Sequence, residues 1–298
     1  MPMVNLLLAL ILAPLVPGII NRTKAKFAGR QGKPLFQAYF DLAKLLRKGA
    51  VYSRTTTWVF RAGPVVGLSA ILTALCLIPL GGTAGLLPFT GDLLVVLYLL
   101  AMVRLFTVLA ALDTGSAFEG MGASREVTYS ALAEPAFCLG LLALARLTGD
   151  LSLSEIFSAL ATLPEGGGTV IALVATTLML VALTENSRIP VDDPNTHLEL
   201  TMIHEVMILD HSGVDLAFIQ YGAALKLWLF GALVVGMLLP QSAWQGVDSL
   251  LHLGGIALFA VVIGVVESGM ARLRLVRIPQ FLAAAGALSI MALLFAAR

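Results

Sequence analysis

The chain of 298 residues is 58% hydrophobic and only 12% charged, with a mean hydropathy of +0.93 and a formal net charge of +1. A soluble domain carries about a quarter charged residues, and no globular core of this size could hide so much apolar surface. The composition therefore excludes a soluble enzyme, offers no basic excess for nucleic acid, and points to an all-α, polytopic integral membrane protein.

The first run, MPMVNLLLALILAPLVPGII, has no basic residue ahead of its apolar stretch and no small-residue cleavage site, so it reads as a retained helix. A spanning helix needs about 20 mostly apolar residues. Eight segments qualify: 2–21, 62–81, 92–112, 127–148, 168–187, 215–240, 252–270 and 278–297. Proline predicts bends at Pro14 and Pro17 in the first and at Pro135 in the fourth. There is no internal repeat or soluble insert, so residues 1–298 form one membrane domain. Cys76 and Cys138 lie far apart in apolar segments and read as small buried hydrophobes, not as metal ligands or a disulfide.

The connections sort by charge. Segment 22–61 carries ten Lys or Arg residues, and segments 113–126, 188–214 and 271–277 carry Arg125, Arg188, Arg272, Arg274 and Arg277. The alternate connections 82–91, 149–167 and 241–251 carry none. Basic loops stay cytoplasmic, which places both termini outside and the chain in the cell (inner) membrane. Within the first basic segment, KPLFQAYFDLAKLLRKG spaces Leu35, Tyr39, Leu42 and Leu46 on one face, as in a helix lying in the membrane interface or docked on a partner.

Ionisable groups also fall where lipid should be. Arg104, Glu134, Lys226 and Glu267 sit within spans and Glu185 near the inner end of one. Each costs about 2.5–3.5 kcal/mol near the bilayer centre, so such groups face a bundle interior or a water-filled cavity and mark an ion route, or else pair statically. Glu134 precedes Pro135, whose ring cannot donate to the carbonyl of Ala131, leaving a place for water.

The stretch ENSRIPVDDPNTHLELTMIHE at 185–205 then crowds carboxylates against an uncharged span. Asp193 and Pro194 are suited to start a helix running to about Leu209. His197, His204 and His211 recur every seven residues, but two helical turns separate neighbours by about 10.5 Å, too far to share one metal ion. Glu199 and Glu205, with Asp192, Asp193 and Asp210, instead line an acidic mouth leading toward Glu185.

GMGASRE at 120–126, ALAEP at 131–135, ENSRIPVDDPNTHLEL at 185–200 and ESGMARLRL at 267–275 together resemble the NuoH family of respiratory complex I membrane proteins. The resemblance is closer to the related membrane subunits of group 4 [NiFe] hydrogenases (formate hydrogenlyase and hydrogenase-4), to which GDLLVVLYLLAMVRLF, LDTGSAFEGMGASRE and GRQGKPLFQAYFDLAKLL add. It implies an eight-helix, non-catalytic anchor that couples redox chemistry in a cytoplasmic arm to proton or sodium translocation. The path would run through Glu134, Glu185, Glu267, Glu199 and Glu205, with Arg104 and Lys226. Arg125, Glu126, Arg188, Asp192 and Asp193 would face partner subunits. Those partners would be hydrogenase-like large and small subunits and iron–sulfur proteins, which hold the Fe–S clusters and Ni–Fe centre, together with antiporter-like membrane subunits. The turn IPVDDP and its continuation HLELTMIHEVMILDHSG depart from the quinone-reducing branch, which puts a quinone pocket in this chain in question. A quinone-binding complex I component, a stand-alone transporter and a purely structural scaffold are the competing readings.

Overall fold

The computed structural model describes residues 2–160, 167–193, 202–239 and 244–297. They form an all-α bundle: α1 (Pro2–Leu12), α2 (Leu15–Phe27), α3 (Gln37–Leu46), α4 (Trp58–Leu77), α5 (Asp92–Asp113), α6 (Ala117–Thr148), α7 (Leu153–Leu160), α8 (Gly167–Glu185), α9 (His204–Met207), α10 (Gly213–Leu238), α11 (Gln245–Gly269) and α12 (Ile278–Ala296). Among the described residues seven helices are long and apolar enough to cross a membrane, and α1 with α2 makes an eighth as one span bent by 49°.

The bend falls at Ala13 and Pro14, where α1 stops and α2 begins. Pro17, also expected to bend the chain, sits in the first turn of α2, where a missing amide hydrogen costs nothing. Pro135 lies inside α6, which continues through it to Thr148. Pro64 sits inside α4, and Thr57 caps that helix by accepting from the Val59 amide at 3.2 Å. Asp113, at the end of α5, accepts from the amides of Thr57 and Phe60 at 2.6 and 3.3 Å, which locks the adjoining ends of α4 and α5.

The expected loop 113–126 is a correction: α6 starts at Ala117, so GMGASRE is helical. At 32 residues α6 is about 48 Å long, against a hydrocarbon core of about 30 Å, so part of it must project beyond the bilayer. The first half of the helix expected from Pro194 to about Leu209, residues 194–201, lies outside the described residues; in the other half only the single turn His204–Met207 is helical. The short α3 also differs from its expected face. Tyr39 and Leu42 turn toward the bundle, with the Tyr39 hydroxyl donating to the Ile11 carbonyl at 2.5 Å, but Leu46 is exposed together with Phe36 and Phe40. An outer apolar face flanked by Lys44 and Arg47 is what a headgroup-level helix presents.

The connections gather at two ends. At the basic end Ser212 bonds Val51, and the Leu273 amide donates to the Pro190 carbonyl at 2.8 Å. At the other end Asn5 donates to the Leu80 carbonyl at 2.9 Å, and Asp92 accepts from the Leu153 amide at 2.7 Å. The charge sorting of the sequence thus corresponds to two physical ends of one bundle. α10 runs through the middle, with Leu225, Leu229, Phe230 and Leu233 fully buried, and carries Lys226 into the interior.

A buried charge network as candidate coupling site

Arg104, midway along α5, is the hub. Its side chain is 9% exposed, Nη1 meets Glu134 of α6, Nη2 meets Glu185 of α8, and Nε lies 3.6 Å from Glu126 of α6. Glu126 and Glu134 are eight residues apart, about 12 Å along α6, a span one guanidinium bridges by offering different nitrogens to each. Lys226 of α10 closes the group, its Nζ 3.3 Å from the second oxygen of Glu185. Four helices therefore place three carboxylates against two cations, leaving one negative charge over. Pairing is what makes such charges tolerable in an apolar interior.

Exposure is not uniform. The Glu185 side chain is 7% exposed, but that of Glu134 is 50% exposed. Glu134 opens on a groove between α5 and α6 with a volume of about 340 Å³, lined also by Tyr98, Ala101, Ala131 and Cys138. The pairing that keeps Glu185 inside the chain therefore leaves Glu134 at its flank.

Two further polar clusters lie at the basic end. Glu267 of α11, its side chain fully buried, takes Lys24 of α2 at 2.8 Å and Arg188 at 3.6 Å. Burial pushes the Arg188 guanidinium below its ordinary range, and the nearby carboxylates of Glu267, Asp193 and Glu205 oppose that. Asp192 binds Arg272 at 2.8 Å and accepts from the amides of Ile203 and His204, both at 3.1 Å. Arg188 follows Glu185 by three residues, so the Glu267 cluster begins just beyond the end of α8.

Of the path residues expected from sequence, Arg104, Glu134, Glu185 and Lys226 come together, while Glu267 belongs to the separate cluster. Glu205 acts on Arg188 through its charge, and Glu199 lies outside the described residues. Of the residues expected to face partners, Glu126, Arg188 and Asp192 point into the chain, because each finds its counter-ion there. Arg125 donates to the Met202 carbonyl at 2.8 Å, and the Asp193 amide donates to Asp192 at 3.0 Å.

Sequence reasoning missed Glu119, which is 1% exposed and accepts from the Asp210 amide at 3.1 Å. It also left His204 and His211 without a role. The signal for Glu119 was its place in LDTGSAFEGMGASRE, read as loop. The same stretch shows why glycine stands at 122: a Cβ there would meet the Val206 side chain and come within 2.9 Å of the Ile203 carbonyl. α6 and the α9 segment approach too closely for any side chain.

The family model described as NADH dehydrogenase matches residues 1–297. Formate hydrogenlyase subunit 4 of Escherichia coli (strain K12) is 31% identical over 281 residues, which cover 92% of this chain and 91% of that protein. Hydrogenase-4 component C of the same strain is 35% identical over 235 residues, 78% of this chain and 72% of that one. The H subunit of the NADH-quinone oxidoreductase of Anaplasma phagocytophilum (strain HZ) is 28% identical over 218 residues, 69% and 63% of the two chains. Among solved structures, a chain of the membrane-bound sulfane sulfur reductase, an archaeal respiratory membrane complex, superposes with a TM-score of 0.86 over 99% of this chain and 98% of its own, at 20% identity, which shows the fold.

Proposed function

The chain belongs to the NADH dehydrogenase family, and from that premise we propose that it is the multi-pass membrane anchor and coupling subunit of a complex I-like respiratory complex. The observation that carries this reading is the network joining Glu126, Glu134, Arg104, Glu185 and Lys226 across four membrane helices. Its odd negative charge and its graded exposure suit a group that changes protonation as the complex turns over.

The hydrogenase-type relatives are matched over more of their own length than the quinone-type one, which favours a group 4 hydrogenase-like assembly. The basic end then faces the cytoplasm, where it meets hydrogenase-like large and small subunits and iron–sulfur proteins carrying the Ni–Fe and Fe–S centres. Arg104, Glu134, Glu185 and Lys226 form the membrane part of the ion path, with Glu267 and Glu205 toward the cytoplasmic side. The half-exposed Glu134 would be costly against lipid, so an antiporter-like membrane protein covers the α5–α6 groove and continues the path.

The test is isolation of the tagged chain from native membranes in mild detergent, followed by mass spectrometry of what accompanies it and redox-driven ion uptake after reconstitution. Hydrogenase-like and antiporter-like partners, with uptake lost in Glu185→Gln, are the expected result. A chain that purifies alone and monodisperse would overturn the reading in favour of a stand-alone transporter.

A further inference from the structure

A small cavity, about 50 Å³, lies between α4, α5 and α10, outside the charge network but touching it. Its floor is Lys226, the partner of Glu185. Its walls include Gly63, Pro64, Gly67, Thr107, His204 and His211. One water needs roughly 10–15 Å³ of such space, so the cavity has room for more than one.

Its polar groups are placed for water. His211 is 5% exposed, and its Nδ1 makes no hydrogen bond among the described residues. The ring is fixed by stacking on Phe60, with centroids 4.0 Å apart and planes 8° from parallel. Pro64, which lines the cavity, cannot donate to the carbonyl of that same Phe60, which leaves an acceptor one turn back along α4. Toward the loop surface, His211 is followed one turn on by Asp215, whose Oδ2 is likewise without a hydrogen-bond partner among the described residues, and whose charge acts on the Tyr52 hydroxyl. On the inner side His204 lies close enough to Lys226 and Glu185 for both charges to act on it. Glycines at 63, 67 and 222 keep side chains out of the space between them.

We infer that this cavity is a hydrated proton-entry passage from the basic end to Lys226 and Glu185, with His211 and His204 as its relay groups. The inference rests on the coupling role proposed above and names the ion and its way in. A neutral imidazole relays without net change, accepting a proton at one nitrogen and releasing one from the other. Burial and the Lys226 charge hold His204 down to about 4, so the neutral ring it needs is its resting form at neutral pH. The passage stands apart from Asp192, whose carboxylate is occupied by Arg272 and two backbone amides.

The test uses the intact complex in proteoliposomes and reads protons moved per redox turnover. Gly67→Val plugs the cavity without altering any titratable group. Gly67→Ala is the intermediate step, since its single Cβ has only Val103 Cγ1 nearby, at 3.9 Å, and fills less of the space. His204→Ala removes the inner relay and is assayed with and without free imidazole. Expected are a fall of about tenfold or more in Gly67→Val and His204→Ala, a smaller fall in Gly67→Ala, and recovery of His204→Ala by imidazole, which a structural role for the ring would not give. If Gly67→Val does not assemble, imidazole rescue of His204→Ala decides alone. Wild-type stoichiometry in both blocking variants, with Glu185→Gln inactive, overturns the passage and leaves the coupling role standing. Wild-type stoichiometry in Glu185→Gln as well, or transport of sodium in place of protons, overturns the inference at its base.

Discussion

Arg104 on α5 donates to Glu185 on α8, two side chains 81 residues apart in sequence that meet inside the apolar bundle. The same guanidinium reaches Glu126 and Glu134, so one residue holds three helices in register through charge. Helices in lipid gain little from hydrophobic burial against one another, which gives such polar contacts a larger share of their specificity.

Arg104→Met should therefore be among the most disruptive single changes in the bundle. It leaves three carboxylates facing Lys226 alone, and removing one partner of a buried ion pair costs about 3–5 kcal/mol. Thermal unfolding in detergent is expected to show a clear drop. Adding Glu126→Gln should recover part of it, because a carboxylate whose ion-pair partner was Arg104 then disappears while Glu185 keeps Lys226.

Glu267 ties α11 to α2 through Lys24 and to the loop after α8 through Arg188. Glu267→Ala strands two cations around a fully buried site, with a loss of the same order, about 3–5 kcal/mol. Lys24→Ala should cost less, since Lys24 is 24% exposed and Arg188 remains to compensate the carboxylate. Equal melting temperatures for the two variants would show that Arg188 does not share the charge.

Gly122→Val should push the Ile203–Met207 segment off α6, because its Cβ has no free volume to enter. Overpacking of this kind costs about 1–3 kcal/mol. Amide hydrogen exchange at Ile203 and His204, whose amides are held by Asp192, should accelerate while α10 stays protected.

Acid should weaken the fold through His204. Its imidazole sits near 4 in the folded chain against an ordinary 6.5, so the unfolded chain takes up the proton first as pH falls. The stability this ring contributes is fully present above pH 6.5 and is lost progressively between there and about 4. His211, also lowered by burial, acts in the same direction. His204→Gln should flatten the acid side of a melting-temperature profile taken over that window.

The sequence by itself determined the number and place of the spans, the split between a basic and a Lys/Arg-free set of connections, and the presence of costly charges within helices. Those follow from hydropathy and charge, which are local properties of a run of residues. Even the bend at Pro14 follows, since a missing amide hydrogen acts within its own turn. Only the tertiary structure decided which charges meet. Arg104 had carboxylates available on three helices and in the 185–205 stretch, and nothing local says that it takes Glu126, Glu134 and Glu185 while Glu267 goes to Lys24. The same holds for the start of α6 at Ala117, where the glycines of GMGASRE look like loop until the α9 segment that packs on Gly122 is in place. Pairing and cavities depend on how helices distant in sequence pack together, and that packing carries the site.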